Sequence, residues 1–536
     1  SELWMRTVPM QILWMLSGFL IDMLPLRFQL TRDQSFSYLL TATRSKVYAA
    51  MGHAGVPLDV ILKDINAPSL SVCPPLFQVV LNYRLGVLGQ KTIGDVALDW
   101  STYEDANHPF DFILTVDEND GEGFLTLSVQ EYLFDRTAGD SLLSTYIHLL
   151  ETFVGHPGLE IGAGELFSPR QIEASTALGK GPITSFGWAD TLSLQIDSFV
   201  ATQPQALAIK DPSGSLTYKG MSDRIDQIAH ALLTAGARVG THVGMLCNPS
   251  SDAICSLLAI MRIGAVYIPL DVRNSTERLM TIVGESQAGF IVYHLDTLDR
   301  LPKLQLDANV QPVDITEIDK PAHPIPNAST ADGRAFIMFT SGTTGKPKGV
   351  MLRHSSFLNH VAAASRAMSL RQSRGVVLQQ SAYGYDASLG QIFYALANGG
   401  SLVVSSNRID MSDLAQLMYE ENITFVLGAP SEYCVLFQYG REWLEKCSNW
   451  RIAMCGGEAF ANHLRQSFQD LRNPLLQVFN AYGPSEISVA SSFGVVPYDR
   501  ESVQDDSPAA IGPAITNYAV YILDPETAQL MPPGCS

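Results

Sequence analysis

The residues best equipped for chemistry lie in FIMFTSGTTGKPKGVMLRH, 336–354. An apolar run that reads as a strand enters a loop of small, hydroxylated and glycine residues, and two lysines flank a proline just beyond it. Gly342, Gly345 and Gly349 allow the main chain to approach a ligand closely, so that its amides can face phosphate oxygens. Thr340, Ser341, Thr343 and Thr344 add hydroxyl donors, while Lys346 and Lys348 add positive charge. That combination points to binding of a polyphosphate. It is not a Walker A loop: the GxxxxGK[ST] spacing fails, because position 340 is Thr and Pro347 follows Lys346.

A second candidate is Asp386 in YDAS, 385–388, an acid just past an apolar stretch. Burying it is costly unless it meets a cation. The alternative is an Asp that caps a helix, since helical sequence follows. The seven cysteines form no CxxC pair, and the eleven histidines include no HExxH and no HH pair, so neither set predicts a structural metal. Cys247 and Cys455 sit in apolar runs and read as buried free thiols.

These residues must be held by regular elements. A helical period covers 34–53, strand-like runs follow at 75–84, 111–118 and 123–134, and an amphipathic helix covers 139–154. Residues 119–122 (Asn-Asp-Gly-Glu) suit a hairpin connection. The Gly-, Pro- and Ser-rich stretch from 155 to 187 reads as a linker. Helices and strands then alternate, with helices at 222–235, 251–263 and 275–286 and strands at 241–247, 265–270 and 289–293. Further strands are expected at 335–339, 376–380, 402–405, 423–427, 451–455 and 475–479. Such alternation predicts largely parallel sheets covered on both faces.

A chain of 536 residues exceeds a single core and implies several domains. Its 54 acidic against 35 basic residues give a formal charge of −19, which argues against nucleic-acid and anionic-membrane partners. An anionic ligand then needs a local cluster of donors such as the 340–349 loop. The first thirty residues look like a membrane span, but Pro9, Asp22 and Pro25 interrupt the apolar run. It reads instead as a buried element of a domain whose beginning lies upstream.

TSGTTGKPKG at 340–349 resembles the phosphate-binding signature of the adenylate-forming enzymes, a group that includes acyl-CoA synthetases, luciferases and peptide-synthetase adenylation domains. LTYKGMSDR (216–224), LLAIMRIGAVYIPLD (257–271), YDAS (385–388) and NAYGPSE (480–486) match in the expected order. The resemblance implies the large N-terminal subdomain of that α/β fold over 187–536, with ATP and Mg²⁺ as ligands. It assigns the β- and γ-phosphates to the 340–349 loop, and the adenine pocket to Gly456, Gly457 and Glu458, with Tyr482 stacked on the base. Asn480 and Ser485 join the ATP site, Ser485 standing where Thr is usual. Glu486 is implied as a Mg²⁺ ligand. Asp386 would bind a substrate α-ammonium group, which favours an amino-acid-activating member over an acyl- or aryl-acid ligase. The side-chain pocket would be walled by Ala387, Gly390, Leu427, Ala453, Cys455, Ala481, Val489 and Ala490. None is charged, so an apolar or aromatic amino acid is expected.

Residues 1–155 resemble the C-terminal lobe of a condensation domain, an α+β half of the chloramphenicol-acetyltransferase type, followed by a linker over 156–186. GFLIDMLPLRF (18–28), VPLD (56–59), PLFQVVLNYR (75–84), FDFILTV (110–116) and GFLTLSVQEYLFD (123–135) carry that likeness. The wording around PLFQVVLNYRLG is similar to fungal polyketide–peptide synthetase hybrids. The resemblance implies that the catalytic HHxxxDG, the lid with its catalytic lysine and the phosphopantetheine-bearing carrier domain lie outside this sequence. It also implies carrier domains as partners, while the free thiols and the lack of a targeting signal lead us to expect a cytoplasmic setting. A non-catalytic nucleotide-binding module is the remaining alternative.

Overall fold

The computed structural model describes residues 26–53, 56, 58–65, 77–85, 91–93, 96–98, 110–119, 122–340, 346–406, 410–498 and 509–533. The membrane-like segment before residue 26 and the 119–122 turn tip lie wholly or partly outside them. The chain divides into two units, 1–178 with 521–536, and 179–520.

In the smaller unit, strand Val79–Leu85 pairs parallel with Phe112–Asn119, which pairs antiparallel with Glu122–Val129. Arg84 faces Asp117 across the parallel pair and grips its buried carboxylate with two bonds of 2.6 and 2.7 Å. Helices Phe36–Met51 and Arg136–Gly155 start where the Ser35 and Asp135 side chains accept first-turn amide protons. The expected 156–186 linker holds a helix, Pro169–Gly179. Gln171 ties it to helix Arg136–Gly155 by donating to the Ser141 carbonyl (3.2 Å) and Thr145 hydroxyl (2.9 Å). The break between units falls at 178/179, at the last residue of that helix.

The larger unit contains two mostly parallel sheets. The six-stranded sheet runs, edge to edge, Gln311–Asp314, Phe290–Tyr293, His242–Leu246, Val266–Pro269, Arg334–Thr340 and Lys348–Arg353. The eight-stranded sheet runs Ser492–Val495, Gln477–Tyr482, Ile452–Gly456, Phe425–Gly428, Val376–Gln379, Ser401–Val404, Leu207–Asp211 and Gly214–Thr217. Its outermost pairings are antiparallel and its inner ones parallel.

Alternation along the eight-stranded sheet sends side chains into two cores. Ile452 and Met454 join a large cluster with Leu389, Phe393 and Phe479, whereas Ala453 and Cys455 enter a second one with Tyr433, Phe460 and Phe468. From Val376–Gln379 the chain goes first to Ser401–Val404 on one side, then to Phe425–Gly428 on the other. This reversal opens a crevice between Val376–Gln379 and Phe425–Gly428 at their carboxyl ends, where open α/β sheets bind ligands.

Candidate functional site

A cavity of about 410 Å³ occupies that crevice. Four neighbouring inner strands contribute residues from their carboxyl ends or just beyond them: Gln380 and Ser381, then Leu427 to Ala429, then Gly456 to Glu458, then Ala481 and Gly483. Gly457 has φ +85°, a left-handed turn that glycine adopts without strain. A second cavity of about 460 Å³ is lined by Thr340, Asp271, Arg278 and Ser485, and it shares Tyr385 and Asp386 with the first.

Asp386 is the first residue of helix Asp386–Leu396, whose N-cap is Tyr385, so the capping alternative does not describe it. The loop before it is tied to the six-stranded sheet, since the Gly384 amide donates to Asp271 (3.3 Å), just past strand Val266–Pro269. Burial raises the Asp386 pKa above the ordinary carboxylate value, and nearby Glu486 adds to this. The Ser485 hydroxyl and the first-turn amides of Asp386 and Ala387 oppose the rise without cancelling it. A cationic group at this junction would relieve the buried charge.

The phosphate-type motif becomes a hairpin. Arg334–Thr340 pairs antiparallel with Lys348–Arg353, placing Lys348 opposite Thr340 and Gly349 opposite Phe339. A side chain at Gly349 would press on Ile337 and the Phe339 ring, each 3.2 Å from its Cβ position. Lys346 and Lys348 are exposed, while Ser341, Gly342, Thr343, Thr344 and Gly345 lie outside the described residues.

Among the expected pocket residues, Asp386, Ala387, Leu427, Ala481 and Val489 line the first cavity, as do Gly456, Gly457 and Glu458 from the expected ATP site. Ala453 and Cys455 do not. They face the second core, and Met454 takes their place, because adjacent strand residues point to opposite faces. Gly390 lies behind the wall, where a Cβ would meet Leu427 at 3.2 Å and Tyr394 at 3.3 Å. Ala490 is likewise buried in the core. Asn480 is buried and donates to the Ala509 (2.9 Å) and Ala510 (3.3 Å) carbonyls, anchoring that segment. Tyr482 ends its strand 53% exposed, and Glu486 is exposed.

Sequence reasoning missed Arg273, Gln380, Ser431, Glu432 and Met454 on the cavity wall. The expectation of an uncharged lining therefore does not hold for the whole cavity. Its extra charges are already engaged: Arg273 with Asp271 (3.1 Å), Glu432 with the Ala429 amide (2.8 Å), and Glu458 with Ser431 (2.9 Å). Gln380 and Met454 were findable in principle, Gln380 as the residue ending an expected strand and Met454 from alternation with Gly456.

The sequence matches the family model of the AMP-binding enzymes over residues 196–536, and that of the condensation domain over 5–174. It is 48% identical over 97% of its length to himA, a polyketide synthase–nonribosomal peptide synthetase hybrid of Aspergillus japonicus. It is 39% identical over 95% of its length to psoA, a hybrid synthetase of Aspergillus fumigatus. In each case the chain spans 13% of the relative's length. Among solved structures, a four-domain nonribosomal peptide synthetase bound to AMP and glycine superposes with a TM-score of 0.81 at 21% identity. That match covers 96% of this chain and 38% of the other. Among the described residues, no helix is long and apolar enough to cross a membrane.

Proposed function

We propose, since this chain belongs to the AMP-binding enzyme family, that its larger unit binds ATP and an amino acid and joins them as aminoacyl-AMP. The amino acid's carboxylate oxygen attacks the α-phosphorus, the new O–P bond replaces the bond to pyrophosphate, and pyrophosphate leaves with the displaced electron pair. The observation that carries this reading is Asp386, half-buried at the wall shared by two cavities with its carboxylate incompletely neutralised. An α-ammonium group supplies the missing charge, which an acyl or aryl acid does not.

In this reading the amino-acid side chain enters the first cavity beside Ala387, Leu427, Met454 and Val489, and an apolar or aromatic side chain suits these walls. The nucleotide lies over Gly456, Gly457, Tyr482 and Ser485, with its phosphates toward Thr340, Ser341, Gly342, Thr343, Thr344, Gly345, Lys346, Lys348 and Gly349. Mg²⁺ supplies positive charge to the phosphates, and the exposed Glu486 carboxylate is the residue suited to hold it. Within a hybrid synthetase the product would pass to the phosphopantetheine of a carrier domain, and the condensation-domain match in the same chain supports that setting.

Amino-acid-dependent ATP–pyrophosphate exchange, run on the synthetase that contains this chain with each proteinogenic amino acid, tests the reading. Exchange stimulated by one or a few apolar or aromatic amino acids, and abolished by Asp386→Ala, supports it. Exchange that ignores amino acids, or survives Asp386→Ala, overturns it.

A further inference from the structure

The wall residue Val489 sits on backbone that a valine rarely adopts. Ser488 and Val489 have φ of +69° and +73°, and the Ala490 amide donates back to the Ser488 carbonyl at 3.0 Å. An i→i+2 bond closed around a central residue near φ +75° is the rare, strained form of the γ-turn. For a β-branched residue this conformation persists only where the surroundings impose it.

Two side chains from distant parts of the sequence do so, Tyr518 part-buried and His360 fully buried. The Tyr518 hydroxyl donates to the Ile487 carbonyl before the turn at 2.9 Å. After the turn, Nδ1 of His360 lies 3.2 Å from the Ala490 carbonyl oxygen, and Nε2 lies 2.6 Å from the Tyr394 hydroxyl. A carbonyl only accepts, so Nδ1 carries the proton, Nε2 accepts, and Tyr394 donates. Burial keeps His360 neutral, holding its pKa down to about 4. The ring thus has one tautomer and both nitrogens engaged.

We propose that His360 is a positioning residue for substrate selection: it clamps the Ser488–Val489–Ala490 turn so that the Val489 side chain forms a fixed wall of the cavity. This rests on the reading of that cavity as the amino-acid site. His360 does not line the cavity itself, and Val489 does. The clamp therefore acts on which side chains fit, leaving nucleotide binding alone.

The test is calorimetric binding of AMPPNP and of the sulfamoyl-adenosine analogues of phenylalanine, leucine, alanine and glycine to this chain. The variants are His360→Asn, His360→Gln and Tyr394→Phe. An Asn amide can reproduce the Nδ1 donor to Ala490, whereas a Gln amide reaches the Nε2 position. The ratio between the best and worst amino acid should shrink about tenfold in His360→Gln and stay near the parent value in His360→Asn, with AMPPNP affinity unchanged in both. Tyr394→Phe frees the ring without touching the turn and should shrink the ratio by a smaller factor; it also serves if His360→Gln does not fold. An unchanged ratio in His360→Gln, or in Tyr394→Phe where it must stand in, overturns the proposal. So does equal loss of AMPPNP and aminoacyl-analogue affinity, which marks general loosening. If the parent chain binds AMPPNP but none of the aminoacyl analogues, the amino-acid reading itself fails and this inference falls with it.

Discussion

Ser485 and Asp386 line the same cavity, which brings the loop after strand Gln477–Tyr482 to the start of helix Asp386–Leu396, and the Ser485 hydroxyl favours the ionised Asp386 carboxyl. Even so, burial leaves the Asp386 pKa above its ordinary 3.8. The ligand-free protein therefore carries an acid whose ionisation works against the fold.

The sign of the pH effect is set by that burial. Because the folded state holds this proton more tightly than the unfolded state, the group's contribution to stability is fully present below 3.8 and is lost as pH rises through the raised folded value. Asp386→Asn removes the loss. Its melting temperature should exceed the parent's at about pH 7 and converge with it at about pH 3 in ligand-free protein. An offset that stays constant across this range would show that Asp386 is not the titrating group.

Gly390→Ala should narrow the cavity from behind. The added methyl meets Leu427 and the Tyr394 ring at 3.2–3.3 Å, and Leu427 borders empty space into which it can shift. Alanine gains about 1 kcal/mol of helix propensity while crowding costs about 1–3 kcal/mol, so stability should fall by no more than about 2 kcal/mol. The substitution should raise the KM of large amino acids several-fold in the exchange assay and leave the KM of ATP alone. A uniform rise in both would place Gly390 in general packing.

Much of this arrangement was legible in the sequence because period and punctuation agree. Strands 335–339, 376–380 and 451–455 were expected within about two residues of where they form, since each is a short apolar run bounded by turn residues. The antiparallel edges Lys348–Arg353 and Ser492–Val495 were not anticipated. Lys348–Arg353 alternates exposed and buried residues, and its charged ends make it read as a continuation of the loop. Helix Pro169–Gly179 was hidden by the small polar residues in RQIEASTALG, which lack a broad apolar stripe. On Ile452–Gly456 the cavity is lined by Met454 and not by the expected Ala453 and Cys455, because a run of apolar residues buried on both faces gives no alternation to fix which face it presents.

That one-residue difference separates two substitutions that look alike. Met454→Ala removes side-chain volume from the cavity wall, so the exchange assay should show altered preference, with larger amino acids gaining relative to smaller ones. Cys455→Ala acts on the opposite face, among Tyr433 and Phe460. It should cost about 1 kcal/mol of stability without changing preference. The reverse pattern would mean that the strand presents its other face to the substrate.

Two buried histidines should make the larger unit acid-sensitive. His354 opens helix His354–Ala367 with its Nδ1 buried and without a hydrogen-bond partner among the described residues, and His360 lies one turn and a half further along. Burial lowers both from 6.5 to about 4. For His354, the positive end of the helix dipole further disfavours the cation. Here the folded state binds protons less tightly than the unfolded state. The stabilisation is complete above 6.5 and is lost as pH falls from there toward 4. Each histidine contributes about 3 kcal/mol by this route, a large share of a typical domain's total. His354→Leu cannot titrate and keeps an apolar side chain in the core. Urea unfolding of the larger unit between about pH 4.5 and 6 should therefore show a shallower pH slope in His354→Leu than in the parent, by about one proton. Equal slopes would mean that His354 takes up its proton as readily in the folded protein as in the unfolded chain, and that its burial is looser than the packing around it indicates.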